Sequence, residues 1–160
     1  MEPVTYQPIG VIRTPFTDIE GMPVQASAAA GVPGRIELDA RFAEGLRDID
    51  GFSHLVLIYH LHRMTDQRLT VTPFLDVSPH GIFATRSPAR PNPIGLSTVR
   101  LIGVAGAALE IEDVDMLDGT PLLDLKPYVP AFDDRENARI GWFGGRLDRV
   151  HEARADRRFR

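Results

Sequence analysis

A chain of 160 residues with 43% hydrophobic and 25% charged side chains has the size and composition of one domain with a sizeable core, spanning residues 1–160. It has no cysteine, which excludes disulfides, thiolate zinc sites and a cysteine nucleophile, and no apolar run near the roughly 20 residues that a membrane helix needs, so no membrane association is expected. A net charge of −4 excludes a protein that coats nucleic acid through its overall field. Met1 to Val4 has neither the basic patch nor the apolar core of a signal peptide, which makes the cytoplasm the default compartment.

Val4 to Arg13 is rich in β-branched and aromatic residues and predicts a strand ended by Thr14-Pro15. Phe16 to Pro33 lacks periodicity and predicts a long irregular loop. Loops of that length in a small domain are usually functional, which makes Gln25 and Ser27 candidates to line a site. Gly34 to Leu38 alternates like a half-buried strand, and Asp39 then caps a short helix with Phe42, Ala43 and Leu46 on one face.

Gly51 to His62 is the most hydrophobic run and predicts the central strand. Its period of two puts His54, Val56, Ile58, His60 and His62 on one face and Leu55, Leu57, Tyr59 and Leu61 on the other. His60 and His62 could share a metal from a strand end, but no carboxylate lies at short spacing and no metal is assigned. Arg68 to Val71 predicts a further short strand, linked through Pro73 to Pro79 to the stretch His80 to Ser97.

That stretch joins polar density to rigidity. It carries Thr85, Arg86, Ser87, Arg90, Asn92 and Ser97, while Pro88, Pro91 and Pro93 fix their own φ and bias the preceding residues to extended geometry. A stiff segment presenting cations, an amide and hydroxyls predicts a preformed binding surface, although an inert turn has the same composition. Leu96 to Val104 and Ala108 to Val114 form a hairpin around Gly106. Asp113, Asp115 and Asp118 then enter a turn whose spacing does not fit a calcium loop, and Leu122 to Tyr128 resumes extended structure. Lys126, the only lysine, is either a candidate base or the partner of Asp124.

Many short strands separated by Gly and Pro turns predict a mainly β fold: a small closed β-barrel with short helices and long functional loops. No Gly-x-Gly-x-x-Gly or Gly-Lys-Ser/Thr phosphate loop is present, so the fold is not of the Rossmann type. Residues 146–160 hold six arginines, at 146, 149, 154, 157, 158 and 160, interleaved with Asp148, Glu152 and Asp156. This basic tail predicts either a phosphate grip or, on its charge pattern, a frayed solvated terminus.

Three motifs occur in order: Phe52-Ser-His-Leu55, Gly81-Ile-Phe-Ala-Thr-Arg-Ser-Pro-Ala-Arg-Pro-Asn-Pro-Ile-Gly-Leu-Ser97, and Asp115-Met-Leu-Asp-Gly-Thr-Pro-Leu-Leu-Asp-Leu-Lys-Pro-Tyr128. With Ile9-Gly-Val-Ile-Arg-Thr-Pro15 before them, they make residues 6 to 133 closely resemble the TsaA-like, or TrmO, family of S-adenosylmethionine-dependent tRNA methyltransferases. The resemblance implies a non-Rossmann β-barrel, often a homodimer, that methylates N6 of threonylcarbamoyladenosine beside the anticodon, with the tRNA anticodon stem-loop as substrate. It implies a donor site among Gln25, Ala26, Ser27, Ala28, Leu61, His62, Arg86, Leu96, Asp115, Met116, Leu117 and Asp118.

Residue chemistry suits those roles. Arg86 can pair with the donor carboxylate, Asp115 or Asp118 can accept from ribose hydroxyls or the amino group, and backbone at Met116 and Leu117 can read adenine. His62 and Asp118 are the candidate bases, with no catalytic residue assigned. Arg90 and Asn92 fall on the RNA side. Longer members of the family carry an additional C-terminal region, so here the arginine tail or a second subunit would supply that part of the RNA grip. Two alternatives share the resemblance: the same barrel methylating a different acceptor, and a regulatory module that binds S-adenosylmethionine without turnover.

Overall fold

A computed structural model describes residues 2–23, 25–147 and 155–156. Its centre is a closed barrel of six antiparallel strands: β1 (Gly10–Arg13), β2 (Pro33–Leu38), β3 (His54–His60), β6 (Ile94–Ala105), β7 (Ala108–Glu112) and β8 (Thr120–Pro127). They close in the order β1-β2-β7-β6-β3-β8, with β8 returning to β1, and β4 (Thr70–Val71) and β5 (His80–Gly81) form a separate two-stranded ribbon. Closure removes free sheet edges and directs alternate side chains inward. Ile12, Ile36, Leu55, Leu57, Val99, Leu109, Ile111 and Leu122 therefore fill the interior, each essentially inaccessible.

The period-two reading of the central strand holds: Leu55, Leu57 and Tyr59 are buried while His54, Val56, Ile58 and His60 face away from the core. The hairpin also holds, with Gly106 at φ +62° between β6 and β7. The first strand is shorter than expected. β1 begins at Gly10, opposite Leu38 of β2 and Leu122 of β8; Ile9 extends the ladder, donating to Leu122 O and accepting from Asp39 N, while Val4 to Gln7 lie exposed ahead of the strand. The helix after Asp39 is a 3-10 segment, Ala40–Leu46, capped as expected by Asp39 on Arg41 N; Leu46 alone turns inward, while Phe42 stays exposed beneath the Arg41 guanidinium.

Outside the barrel, Val71, Ile82 and Ala89 make a second small core with Met64 and Phe74, anchoring the 80–97 stretch to the ribbon. A short helix, α1 (Pro130–Asp133), leads to residues 134–147, which pack back on that stretch: Trp142 stacks on His80 and donates Nε1–H to Ala84 O at 2.7 Å, and Arg146 pairs with Asp76 at 3.2 Å. The solvated terminus expected from residue 146 is corrected at two points. Arg146 is ion-paired, and Ala155 makes backbone hydrogen bonds to Gly21 and Met22 at 2.9 and 2.8 Å. The other five arginines of the tail lie outside the described residues. Among the described residues, no helix is long and apolar enough to cross a membrane.

Candidate functional site

At one end of the barrel a cleft of about 440 Å³ opens between the C-terminal end of β3, the start of β6, the turn after β7, residues 19–23 with Gln25, and the loop at 85–90. The pairing of β3 with β8 shifts register between Ile58 and Tyr59, the kind of bulge that re-aims side chains near a site. Tyr59 then crosses the floor above Gly95, where a Cβ would sit 2.1 Å from the ring; only glycine admits the tyrosine here.

The Tyr59 hydroxyl lies 2.9 Å from Ser97 Oγ, and Ser97 donates to Asp115 Oδ1 at 2.6 Å. With the Ser97 proton committed to the carboxylate, the Tyr59 O–H donates to Ser97, giving a directed chain that ends on Asp115. Burial pushes the Asp115 carboxyl up to about 6, against the ionising help of Ser97, backbone N–H groups including that of Ala26, and Arg86. Burial also raises the Tyr59 phenol, with Asp115 adding to the effect, so the phenol stays a donor. The sequence placed Tyr59 only on a buried face; its hydroxyl, which must find a partner there, was the signal of a polar network.

Across the cleft, Arg86 is exposed and makes one hydrogen bond, to Gln25 Oε1 at 3.3 Å; among the described residues it has no ion-pair partner. It is thus available to an anionic ligand group. His62 also lines the cleft, its pKa lowered by burial and then by Arg63 and His60. Thr120 Oγ1 donates to Leu117 O at 2.7 Å, so its 3.4 Å contact with His62 Nδ1 has the imidazole as donor and leaves Nε2 with its lone pair.

Of the residues assigned to the donor site, Gln25, Leu61, His62, Arg86, Leu96, Asp115, Met116 and Leu117 line this one cleft, joined by Tyr59, Arg63 and Thr120, which the sequence reading did not select. Ala26 reaches it through its backbone contribution to Asp115, Ser27 faces an adjoining cleft, and Ala28 lines neither. Asp118 is not among the residues lining the cleft, although its charge acts on His62 there; it accepts from Thr14 N at 3.1 Å and sits 3.7 Å from Arg13, bracing the end of β1. Arg90 also lines the cleft and has a structural part besides. Its Nη1 donates toward the carbonyls of Ile82, Thr85 and Ser87, and the guanidinium lies over Phe83, so the side chain staples the loop into shape. Asn92 is exposed, and Lys126 pairs with Asp124 at 2.6 Å.

The adjoining cleft, of about 390 Å³, shares Gln25, Phe74, Arg86 and Pro88 with the first and continues over Ser87 to Trp142 and Phe143. A closed six-stranded barrel bearing a nucleoside-sized cleft, lined by a half-buried carboxylate and an exposed guanidinium, defines a small-ligand-binding barrel of the non-Rossmann class. Residues 11–134 match the tRNA-methyltransferase O N-terminal domain, and the chain belongs to that family. It is 54% identical over 156 residues to a Pyrococcus abyssi protein named as a probable S-adenosyl-L-methionine-binding protein, covering 98% of this chain and 85% of that one. It is 36% identical over 152 residues to the tRNA (adenine(37)-N6)-methyltransferase of Escherichia coli, covering 89% and 65%. The crystal structure of TrmO from Pseudomonas aeruginosa superposes with a TM-score of 0.75 at 36% identity, covering 88% of this chain and 63% of that one. The chain therefore spans a little under two thirds of these last two proteins.

Proposed function

We propose that this chain is an S-adenosylmethionine-dependent methyltransferase acting on N6 of adenosine 37 in tRNA, with threonylcarbamoyladenosine as the acceptor form. The observation that carries the reading is the pairing, within one cleft, of Asp115 held by Ser97 and of Arg86, which among the described residues has no ion-pair partner. The residues present fit the donor. Arg86 suits its carboxylate, Asp115 its ammonium or ribose hydroxyls, the backbone of Met116 and Leu117 its adenine edge, and Leu61 and Leu96 its apolar flanks. When bound, the cofactor supplies an electrophilic methyl whose displacement releases a neutral thioether. The chain's own part is alignment and exclusion of water around that carbon. An exocyclic amine turns acidic only as it is alkylated, so a weak base suffices; with Asp115 engaged by Ser97 and by the donor, neutral His62, with Nε2 unprotonated, takes the proton.

The acceptor assignment is supported by the names of the Escherichia coli and mouse relatives, both tRNA (adenine(37)-N6)-methyltransferases. The threonylcarbamoyl form draws support from exposed Arg63 on the cleft rim, a second cation for the acceptor's own carboxylate. Exposed Ile94 and Leu96 on the same rim suit a homodimer that buries them, which light scattering of the purified chain would detect as twice the monomer mass. A donor-binding module without turnover is the second reading, favoured by the binding-protein name of the Pyrococcus relative. Mass spectrometry of tRNA nucleosides from a strain lacking the gene separates the two: loss of the methylated nucleoside supports the enzyme, and an unchanged level refutes it.

A further inference from the structure

Away from the cleft at the barrel end, most arginines are neutralised in place: Arg13, Arg35, Arg41, Arg47, Arg68 and Arg100 each sit beside a carboxylate. The three arginines that line the cleft, Arg63, Arg86 and Arg90, have no ion-pair partner among the described residues, and Asp115 is the one carboxylate of that lining. A chain of net charge −4 thus keeps uncompensated cations at the mouth of its candidate site. Positive potential concentrated there attracts a polyanion that the overall field does not.

Phe83 stands beside this mouth. The Arg90 guanidinium, itself part of the cleft lining, lies over its ring at 5.9 Å from the centroid, and Thr85 and Arg86 line the cleft two and three positions on. The Phe83 side chain is 75% exposed, while Ile82 before it is buried in the small core with Val71 and Ala89. Its backbone is pinned on both sides. Ile82 N donates to Leu69 O at 2.9 Å, Trp142 Nε1 donates to Ala84 O at 2.7 Å, and Arg90 Nη1 donates to Thr85 O at 2.9 Å. A lone exposed phenylalanine is ordinary on a protein surface. One displayed on a fixed backbone, backed by a guanidinium and set at the edge of a cationic cleft, has the parts of a base-stacking platform: an open aromatic face and, next to it, charge for the phosphates.

We propose that Phe83 stacks a nucleotide flanking the acceptor. With the acceptor base in the cleft, the next base of the same strand lies on the exposed Phe83 ring, and the cations of the mouth neutralise the phosphate between the two. The occupant is single-stranded RNA, because a base held within a duplex offers no free face. The inference rests on the methyltransferase reading and extends it to a contact outside the cleft.

The test compares wild type with Phe83→Leu and Phe83→Trp in steady-state methylation of tRNA, donor binding and thermal unfolding. A side chain this exposed can be changed without disturbing the core, so all three proteins should share one unfolding midpoint. Loss of one base–aromatic stack should raise KM for tRNA about fivefold or more in Phe83→Leu, while Phe83→Trp stays at or below the wild-type value and donor affinity is unchanged in both. Of two anticodon stem-loops, each abasic on one side of adenosine 37, one should show the same rise in KM with wild type and no further rise with Phe83→Leu. Wild-type KM for tRNA in Phe83→Leu, the result of an apolar contact with a second copy or of no contact, overturns the platform. Abasic defects that are absent, or that persist in Phe83→Leu at both positions, overturn it as well. Failure of wild type to methylate any tRNA overturns the functional reading and this inference with it.

Discussion

Removing the Ser97 hydroxyl tests whether the buried chain from Tyr59 to Asp115 sets the ionisation of the donor site. Ser97→Ala deletes the 2.6 Å donor to Asp115 and strands the Tyr59 hydroxyl. A hydrogen bond to a charged group contributes about 1.5–3 kcal/mol, and about 1.4 kcal/mol corresponds to one pKa unit, so the loss raises the Asp115 pKa by about one to two units. The hydroxyl favours the carboxylate over the acid, so the direction is upward from about 6. In wild type Asp115 is then largely ionised at neutral pH, and in the variant largely protonated. Calorimetric titration with S-adenosylmethionine across pH 5.5 to 9 should place the half-point of the acidic limb near about 6 in wild type and about one to two units higher in Ser97→Ala, with Ser97→Thr close to wild type. Superimposable pH profiles for wild type and Ser97→Ala would refute the reasoning.

Gly95→Ala forces a methyl into the Tyr59 ring, which cannot retreat because its hydroxyl is held by Ser97; overpacking of this kind costs about 1–3 kcal/mol, read as a lower midpoint in thermal unfolding together with weaker donor binding. Arg86→Ala should weaken donor binding at least tenfold with an unchanged unfolding midpoint, whereas Arg90→Ala should lower that midpoint and weaken donor and RNA together, because Arg90 holds three carbonyls of the loop. His80, Val77, Ser78 and Arg146 hold the Asp76 carboxyl down at about 2, so its stabilising share is complete above the ordinary carboxylate range and is lost as pH falls from about 4 through about 2; Asp76→Asn should flatten acid unfolding in that window.

The barrel was legible where alternation and turn chemistry agree: Leu55, Leu57 and Tyr59 inward, Gly106 at the hairpin, Asp39 at a cap. The departures all depend on distant partners. Val4 to Gln7 have the composition of a strand but lie exposed ahead of β1, which begins only at Gly10. Asp115 and Asp118 look alike in a turn. Only the fold shows one buried against Ser97 and the other drawn to Thr14, 104 positions away in sequence. Arg90 reads as a free cation until three carbonyls converge on it, a consequence of the path that Pro88 and Pro91 impose on the loop. The second cleft is built partly from residues 140–147, a stretch without periodicity whose docking depends on the His80–Trp142 stack.

The most direct measurement incubates the purified chain with methyl-labelled S-adenosylmethionine and tRNA, with and without prior threonylcarbamoylation, and locates the label by nucleoside mass spectrometry. One labelled methyl is expected on N6 of adenosine 37, abundant on the threonylcarbamoylated tRNA and sharply reduced in Arg86→Ala. Label at another nucleoside, or none above a reaction lacking the protein, would contradict that expectation.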